Sequence, residues 1–571
     1  MTRYLLARTG AYFFVTLGAL SPCWAEAPSA RDELLRFVPK DCGLCFVVND
    51  LRGNVAQWKK SPWIKSLKES ALGKAFLDAP EFTDLLRLQK DLKKHLDVDW
   101  QVVRDDVLGD AVVFAYQPGT SNNSANEQGI LLLHARRPEV LARLLDNLNR
   151  AQMTSGDLKS LETRTYKGLD YVCRVEAKQN HFYLLSGHFF AFTGKEELLQ
   201  RILEQKQQEY PEAPPVALHL EKAGANTAVA SLWINPRSFD ADLQQKAAAM
   251  SGPQSLLLKG LLEHWKAFDA VVVSFAAQDH IEFKLAMLAR EKDLPAYSRG
   301  FFMQPARPSD LWLRFPDKAI FSMAARIEGS DVAATFVDFA PADVRRTAQQ
   351  TLQPLAALAG IDFARDVAPN VGPDWGLCVL PATDPKSVPQ VIAALAVRPG
   401  PKDIGVDQAL YRGVDFLAGL SLFDYNRRHP DDPIRLLNLR QEKVEVKYLA
   451  NDKLFPPGFE PAWALKGGYL LLATTPEAVA RFGAAPERTA ASGEAPIMRI
   501  SPRELAKALG EHRQTAIDHI AAKDHVSKIV ATQELDKALS VLNLVERIEI
   551  ARSSGSGQSS FVLRIISPKE K

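Results

Sequence analysis

The chain has 571 residues, 46% of them apolar and 24% charged, which is enough to bury more than one globular core. Lys and Arg number 70 against 68 Asp and Glu, and a formal net charge of +2 argues against a dedicated nucleic-acid binder. Five cysteines in a chain this long do not make a disulfide scaffold.

At the amino terminus Arg3 and Arg8 precede a short apolar core, Ala11 to Leu20, and Ala25 ends a small-residue cleavage site before Glu26. The apolar stretch falls short of the roughly 20 residues a membrane span requires. Residues 1–25 therefore read as a signal peptide, and Pro22 directly before Cys23 fits lipid attachment poorly. No later run reads as a transmembrane helix, so the mature chain is expected to be soluble and exported, periplasmic or extracellular.

The rest of the chain is written twice. Leu35, Arg36, Phe37 and Pro39 are echoed by Leu313, Arg314, Phe315 and Pro316, and Asp99, Trp100 and Gly109 by Asp362, Phe363 and Gly372. Tyr166 to Tyr171 matches Tyr411 to Phe416; Leu185, Gly187 and Arg201 match Leu465, Gly467 and Arg481; Ile234, Pro236 and Arg237 match Ile500, Pro502 and Arg503. A fixed order of matched blocks is the signature of an internal repeat. The offset is 277 at Pro39/Pro316, 263 at Gly109/Gly372, 245 at Tyr166/Tyr411 and 280 at Gly187/Gly467, which predicts an insertion near 417 to 461 in the second copy. The expected organisation is a first α+β repeat over 26–290, a proline-bearing linker over 291–310 and a second α+β repeat over 311–571.

In chain order, Leu44 to Val48 reads as a strand, and Ser61 with Pro62 as an N-cap and first-turn proline. Ala111 to Tyr116 and Ile130 to His134 read as strands, Pro138 opens a helix, and Asp384 with Pro385 is expected to open its counterpart carrying Val388, Val391, Ile392 and Leu395. Lys167 with Gly168, and Arg412 with Gly413, are expected to be tight hairpin turns. Thr193 and Glu196 are spaced as a capping box. Asn235 with Pro236, Ser501 with Pro502 and Thr475 with Pro476 mark further helix starts, where Arg237 and Arg503 are expected to be ion-paired or solvent-facing. Each copy closes with two strands, Phe268 to Phe275 with Ile281 to Leu288, and Val545 to Ala551 with Ser560 to Ile566. Hairpins and strand pairs between helices predict α+β domains, each a largely antiparallel sheet with helices packed on it.

Chemistry is sparse. No nucleophile elbow, zinc-protease helix motif, phosphate-binding glycine loop or dinucleotide fingerprint is present, so no catalytic, cofactor-binding or metal residue is assigned. His512, His519 and His525 lack the spacing of helical metal ligands. Cys42 and Cys45 have redox spacing but sit where a strand begins, which favours a structural pair. The stretch from Arg52 to Lys94 is basic and carries Trp58 and Trp63; Lys59, Lys60, Lys90, Lys93 and Lys94 are candidates for an anionic surface, against the plainer reading of a solvated helix face.

The signal peptide, the proline-led first strand near Gly43 and Leu44, the Leu108-Gly109-Asp110 run before a strand and the duplicated tyrosine-glycine blocks resemble a family of uncharacterised exported bacterial proteins, a domain of unknown function. The resemblance implies secretion and an α+β fold, and brings no activity. The expected function is that of a binding or structural protein of the cell envelope, its partner an envelope polymer or protein. The alternative is an extracytoplasmic hydrolase whose site is assembled between the repeats.

Overall fold

The computed structural model describes residues 29–568 apart from 120–126, 209–212, 251–261, 263, 279, 332, 334–343, 348–349, 351–362, 385, 401–404, 442–443 and 484–492. The signal segment 1–25 and Asp362 lie outside the described residues.

Among the described residues the first half contributes ten strands: β1 (Leu44–Asn49), β2 (Ala111–Gln117), β3 (Gln128–His134), β4 (Leu158–Tyr166), β5 (Leu169–Glu176), β6 (Asn180–Ser186), β7 (Phe189–Thr193), β8 (Ala230–Ile234), β9 (Phe268–Ala277) and β10 (His280–Ala289). The second half contributes β11 (Phe321–Arg326), β12 (Val371–Leu380), β13 (Gln390–Val397), β14 (Arg435–Gln441), β15 (Val444–Ala450), β16 (Ala462–Lys466), β17 (Tyr469–Ala473), β18 (Ala495–Ile500), β19 (Arg547–Gly555) and β20 (Gln558–Ile566).

All twenty belong to one antiparallel sheet. Pairings give the order β4-β5-β6-β7-β3-β2-β1-β8-β9-β10 for the first half. The second half runs β14-β15-β16-β17-β13-β12-β11-β18-β19-β20, the same order strand for strand. The halves do not interleave. They meet edge to edge where β10 pairs with β20, with Lys284 opposite Val562, His280 opposite Ile566 and Leu288 opposite Gln558. Because each strand's start meets the other's end, the seam is isologous, as in a two-fold dimer.

Helices cover parts of both faces. On one face α1 (Ala30–Leu35) is capped by Ser29, whose side chain accepts from the Asp32 amide. A large core there joins Leu34, Leu35, Val47, Val113, Leu132, Ala191 and Val272 to Leu199 and Leu203 of a helix at Glu196–Lys206. Leu132 is fully buried, which contributes about 1.5–3 kcal/mol. After β1 comes an arm of four helices: α2 (Leu51–Lys60), α3 (Pro62–Glu69), α4 (Ala71–Leu77) and α5 (Pro80–Leu96). Ser61 caps α3 through the Ile64 amide with Pro62 in its first turn, as expected. On the opposite face α6 (Pro138–Ser155) packs Val140 and Leu141 over Leu133, Tyr183 and Phe190, and ends at Gly156, whose φ of +83° suits a glycine C-cap.

Segment 291–310 holds α7 (Ala296–Met303), which packs on β19 and β20. The Arg552 guanidinium lies 3.5 Å from the Phe301 ring centroid and donates to the Phe301 carbonyl.

Lys167 and Gly168, with φ of +49° and +80°, make the tight β4–β5 hairpin as expected. Four other expectations fail. Arg412 and Gly413 are not a hairpin but lie inside α8 (Val406–Arg428), which takes the place of α6 in the second half. The counterpart of β4–β5 is β14–β15, so most of the expected insertion at 417 to 461 is repeat structure. The segment with Val391, Ile392 and Leu395 is strand β13, not a helix, and Pro385 lies outside the described residues; one face of the strand is buried and the other half-buried, so its continuous apolar run resembles a buried helix. Thr193 and Glu196 form no capping box: Thr193 bonds the Gly129 carbonyl and the Lys195 amide, and Glu196 receives Arg164 and Tyr171.

Candidate functional site: an open apolar sheet face at the seam

Side chains directly opposite each other in an antiparallel pair share a face. Following register from β3 gives one such row: Leu131, Phe114, Phe46, Leu232, Val273, Leu285 and Phe561. A second row runs Phe275, Phe283, Leu563, Ile550, Met498 and Met323, crossing the seam deep into the second half. The intervening residues, such as Val47 and Val272, point into the core of the other face.

These rows are not fully covered. Phe46, Phe114, Val273, Phe283, Leu285 and Met323 are each between 37 and 44% exposed. Contiguous apolar surface on this scale marks interaction sites, because leaving it in water is unfavourable at about 25 cal/mol per Å². Two elements border it. The α7 aromatic Phe301 lies against Phe561, 6.0 Å between ring centroids. From the other side Trp58 of α2 meets Phe275 edge-on at 6.4 Å and donates from Nε1 to the Ala277 carbonyl at 2.7 Å.

Beside Trp58 the arm crosses to the second half. Trp63 Nε1 donates to the Leu544 carbonyl at 2.7 Å, and α4 packs on the helix at Lys528–Leu542. The arm, the β9–β10 turn and the end of β20 enclose a cleft of about 890 Å³. Among the described residues Lys60 is the one charged residue of its lining, with Gln57, Ser61, Ser66, Trp63 and Gln278 from the first half and Asn543 and Ser567 from the second.

The seam itself is held by charge. Arg564 of β20 reaches Glu282 of β10 at 2.9 Å and binds Glu494 through two guanidinium nitrogens at 2.6 and 2.7 Å. Those bonds hold the Glu494 carboxyl below its ordinary range, outweighing burial, which pushes it up.

The structure separates the five sequence-predicted lysines. Lys59 and Lys60 end α2, whereas Lys90, Lys93 and Lys94 lie in the last turns of α5, which packs on α4 and α6. Lys93 is already paired with Asp97 at 3.5 Å and Asp99 at 3.4 Å. Of the five, Lys60 alone lines the cleft. Trp58 and Trp63 are not free aromatics but half-buried anchors of the arm.

Other candidates resolve differently. Cys42 and Cys45 are free, buried thiols; burial pushes Cys42 up to about 12 and Cys45 well above its usual value, opposing the thiolate that redox chemistry needs. Arg237 and Arg503 are ion-paired as expected, to Asp269 at 2.6 Å and Glu546 at 2.5 Å, equivalent contacts in the two halves. Among the described residues no three His, Cys, Asp or Glu side chains converge as a metal site. No described helix is long and apolar enough to cross a membrane. No protein-family model, curated protein or solved structure matches the chain. The open face left no linear signal, because it depends on the register of many non-local strand pairs.

Proposed function

We propose that this chain is an exported, non-catalytic binding protein of the cell envelope that holds the hydrocarbon part of an anionic amphiphile along its open sheet face, with Lys60 meeting the charged end. The observation that carries this reading is the pair of apolar rows crossing the β10–β20 seam, six of whose residues are about two-fifths exposed. The cleft supports it, since among its described lining residues Lys60 is the one charged group, set among hydroxyl and amide groups beside an apolar track, which suits a ligand with one anionic group. Export is supported by the Arg3, Arg8, Ala11 to Leu20 and Ala25 pattern.

Titration with a fluorescent anionic fatty acid, cis-parinaric acid, tests it. The wild-type chain is expected to bind saturably. Phe283→Asn with Leu285→Asn removes two side chains worth about 1.5–3 kcal/mol each when buried, so affinity should fall at least about tenfold. Lys60→Gln should weaken binding in low salt more than in high salt. Absence of saturable binding, or indifference to the face substitutions, would overturn the proposal.

A further inference from the structure

Helix α8 has two apolar faces. Leu410, Tyr411 and Val414 pack on the sheet with Leu465 and Leu470, and Asp415 accepts from Trp463 Nε1 and Lys447 Nζ. On the opposite side Phe416, Leu417, Leu420 and Phe423 project into solvent, each between 50 and 71% exposed. Gly413, Phe416, Leu420, Phe423 and Arg427 follow one another at spacings of three, four, three and four, the seam of a coiled coil. In the first half α6 occupies the equivalent place, and its outward residues are Glu139, Arg143, Asp146 and Arg150. The fold therefore does not require this stripe; the second half has it in addition.

We infer that the outward stripe of α8 is a dimer interface, on which a second copy of this chain docks its own α8 antiparallel. Two features select this occupant. The stripe is self-complementary in size when reversed: with Phe416 opposite the partner's Leu420, the small Gly413 faces the partner's Phe423. It is also self-complementary in net charge: Asp407 lies in the first turn, and in the last turn Arg427 and Arg428 share the single carboxylate of Asp424, which leaves that end net basic. Antiparallel docking sets each basic end beside an acidic one and opposes the helix dipoles, whereas parallel docking would bring like ends together. A single helix pair lies at the small end of stable interfaces, so the equilibrium is concentration-dependent.

Sedimentation of the full chain over a wide concentration range tests the inference. The wild type should shift from monomer to dimer, and Leu420→Lys should raise the dissociation constant about tenfold or more. Gly413→Leu checks the register: a Cβ there meets nothing within 4 Å inside the monomer, so the variant should fold yet lose the dimer to a clash with the partner's Phe423. Leu417→Cys should form an oxidised dimer beyond the wild-type blank, because antiparallel docking brings this position close to its own copy. A wild type that stays monomeric throughout, or a Gly413→Leu chain that dimerises normally, would overturn it; so would failure of Leu417→Cys to cross-link.

Discussion

Replacing Arg564 by Met tests whether the two halves are held at the seam by charge as well as by strand pairing. Met keeps most of the apolar stem and removes three charge-assisted hydrogen bonds, leaving Glu282 and Glu494 facing each other without their shared cation. Breaking a fully buried pair costs about 3–5 kcal/mol and an exposed one about 0–1. The Arg564 side chain is 21% exposed and each carboxylate 27%, so a loss of about 2–3 kcal/mol is expected at neutral pH. The pH dependence has a definite sign. Glu494 is held low in the folded chain, so its contribution is complete above the unfolded Glu value of about 4.3 and disappears as pH falls through the lower folded value. The variant has already lost the Arg564 contribution that Glu494 makes in the wild type, so the gap between them should narrow on acidification. Urea midpoints at equal slope, measured at neutral pH and near pH ~4, report both effects. A neutral-pH loss below about 0.5 kcal/mol, or a gap unchanged by acid, would refute the charge account.

Cys42, Cys45 and Cys378 have thiols raised by burial, Cys378 to about 11, so a disulfide reagent at mildly alkaline pH should leave all three unlabelled until the chain unfolds; rapid native labelling would contradict this. Trp63→Phe keeps an aromatic ring but drops the bond to the Leu544 carbonyl, so hydrogen exchange should quicken across α3 and α4 and stay unchanged in β9 and β10. Unaltered exchange in the arm would mean that Trp63 does not hold it.

The sequence blocks that survive in the structure are those in which chain geometry demands a particular residue. Ile234-Asn235-Pro236 and Ile500-Ser501-Pro502 each end a strand and start a helical turn, and Gly187 and Gly467 sit with positive φ between paired strands. The Tyr411 block misled because Tyr-Arg-Gly-Val-Asp-Phe looks like the first-half hairpin while its own surroundings are helical. With apolar residues on both faces of α8, the helical period is blurred. That same double-faced character is what exposes Phe416 and Phe423. The open sheet face was illegible for another reason: Phe46 and Phe283 each look like an ordinary strand residue, and only pairing through β8 and β9 brings them onto one surface.

The seam also fixes how many repeats the molecule can hold. Each half offers its last strand, β10 or β20, and these two edges consume each other. A head-to-tail joint would leave one such edge free and allow a third copy to extend the array, as in a solenoid. Here the joint is its own terminator, and among the described strands the outer ones, β4 and β14, are the remaining margins of the sheet. Those margins differ in sequence from the edges used at the seam, so duplication of this unit yields a closed pair and stops growing there.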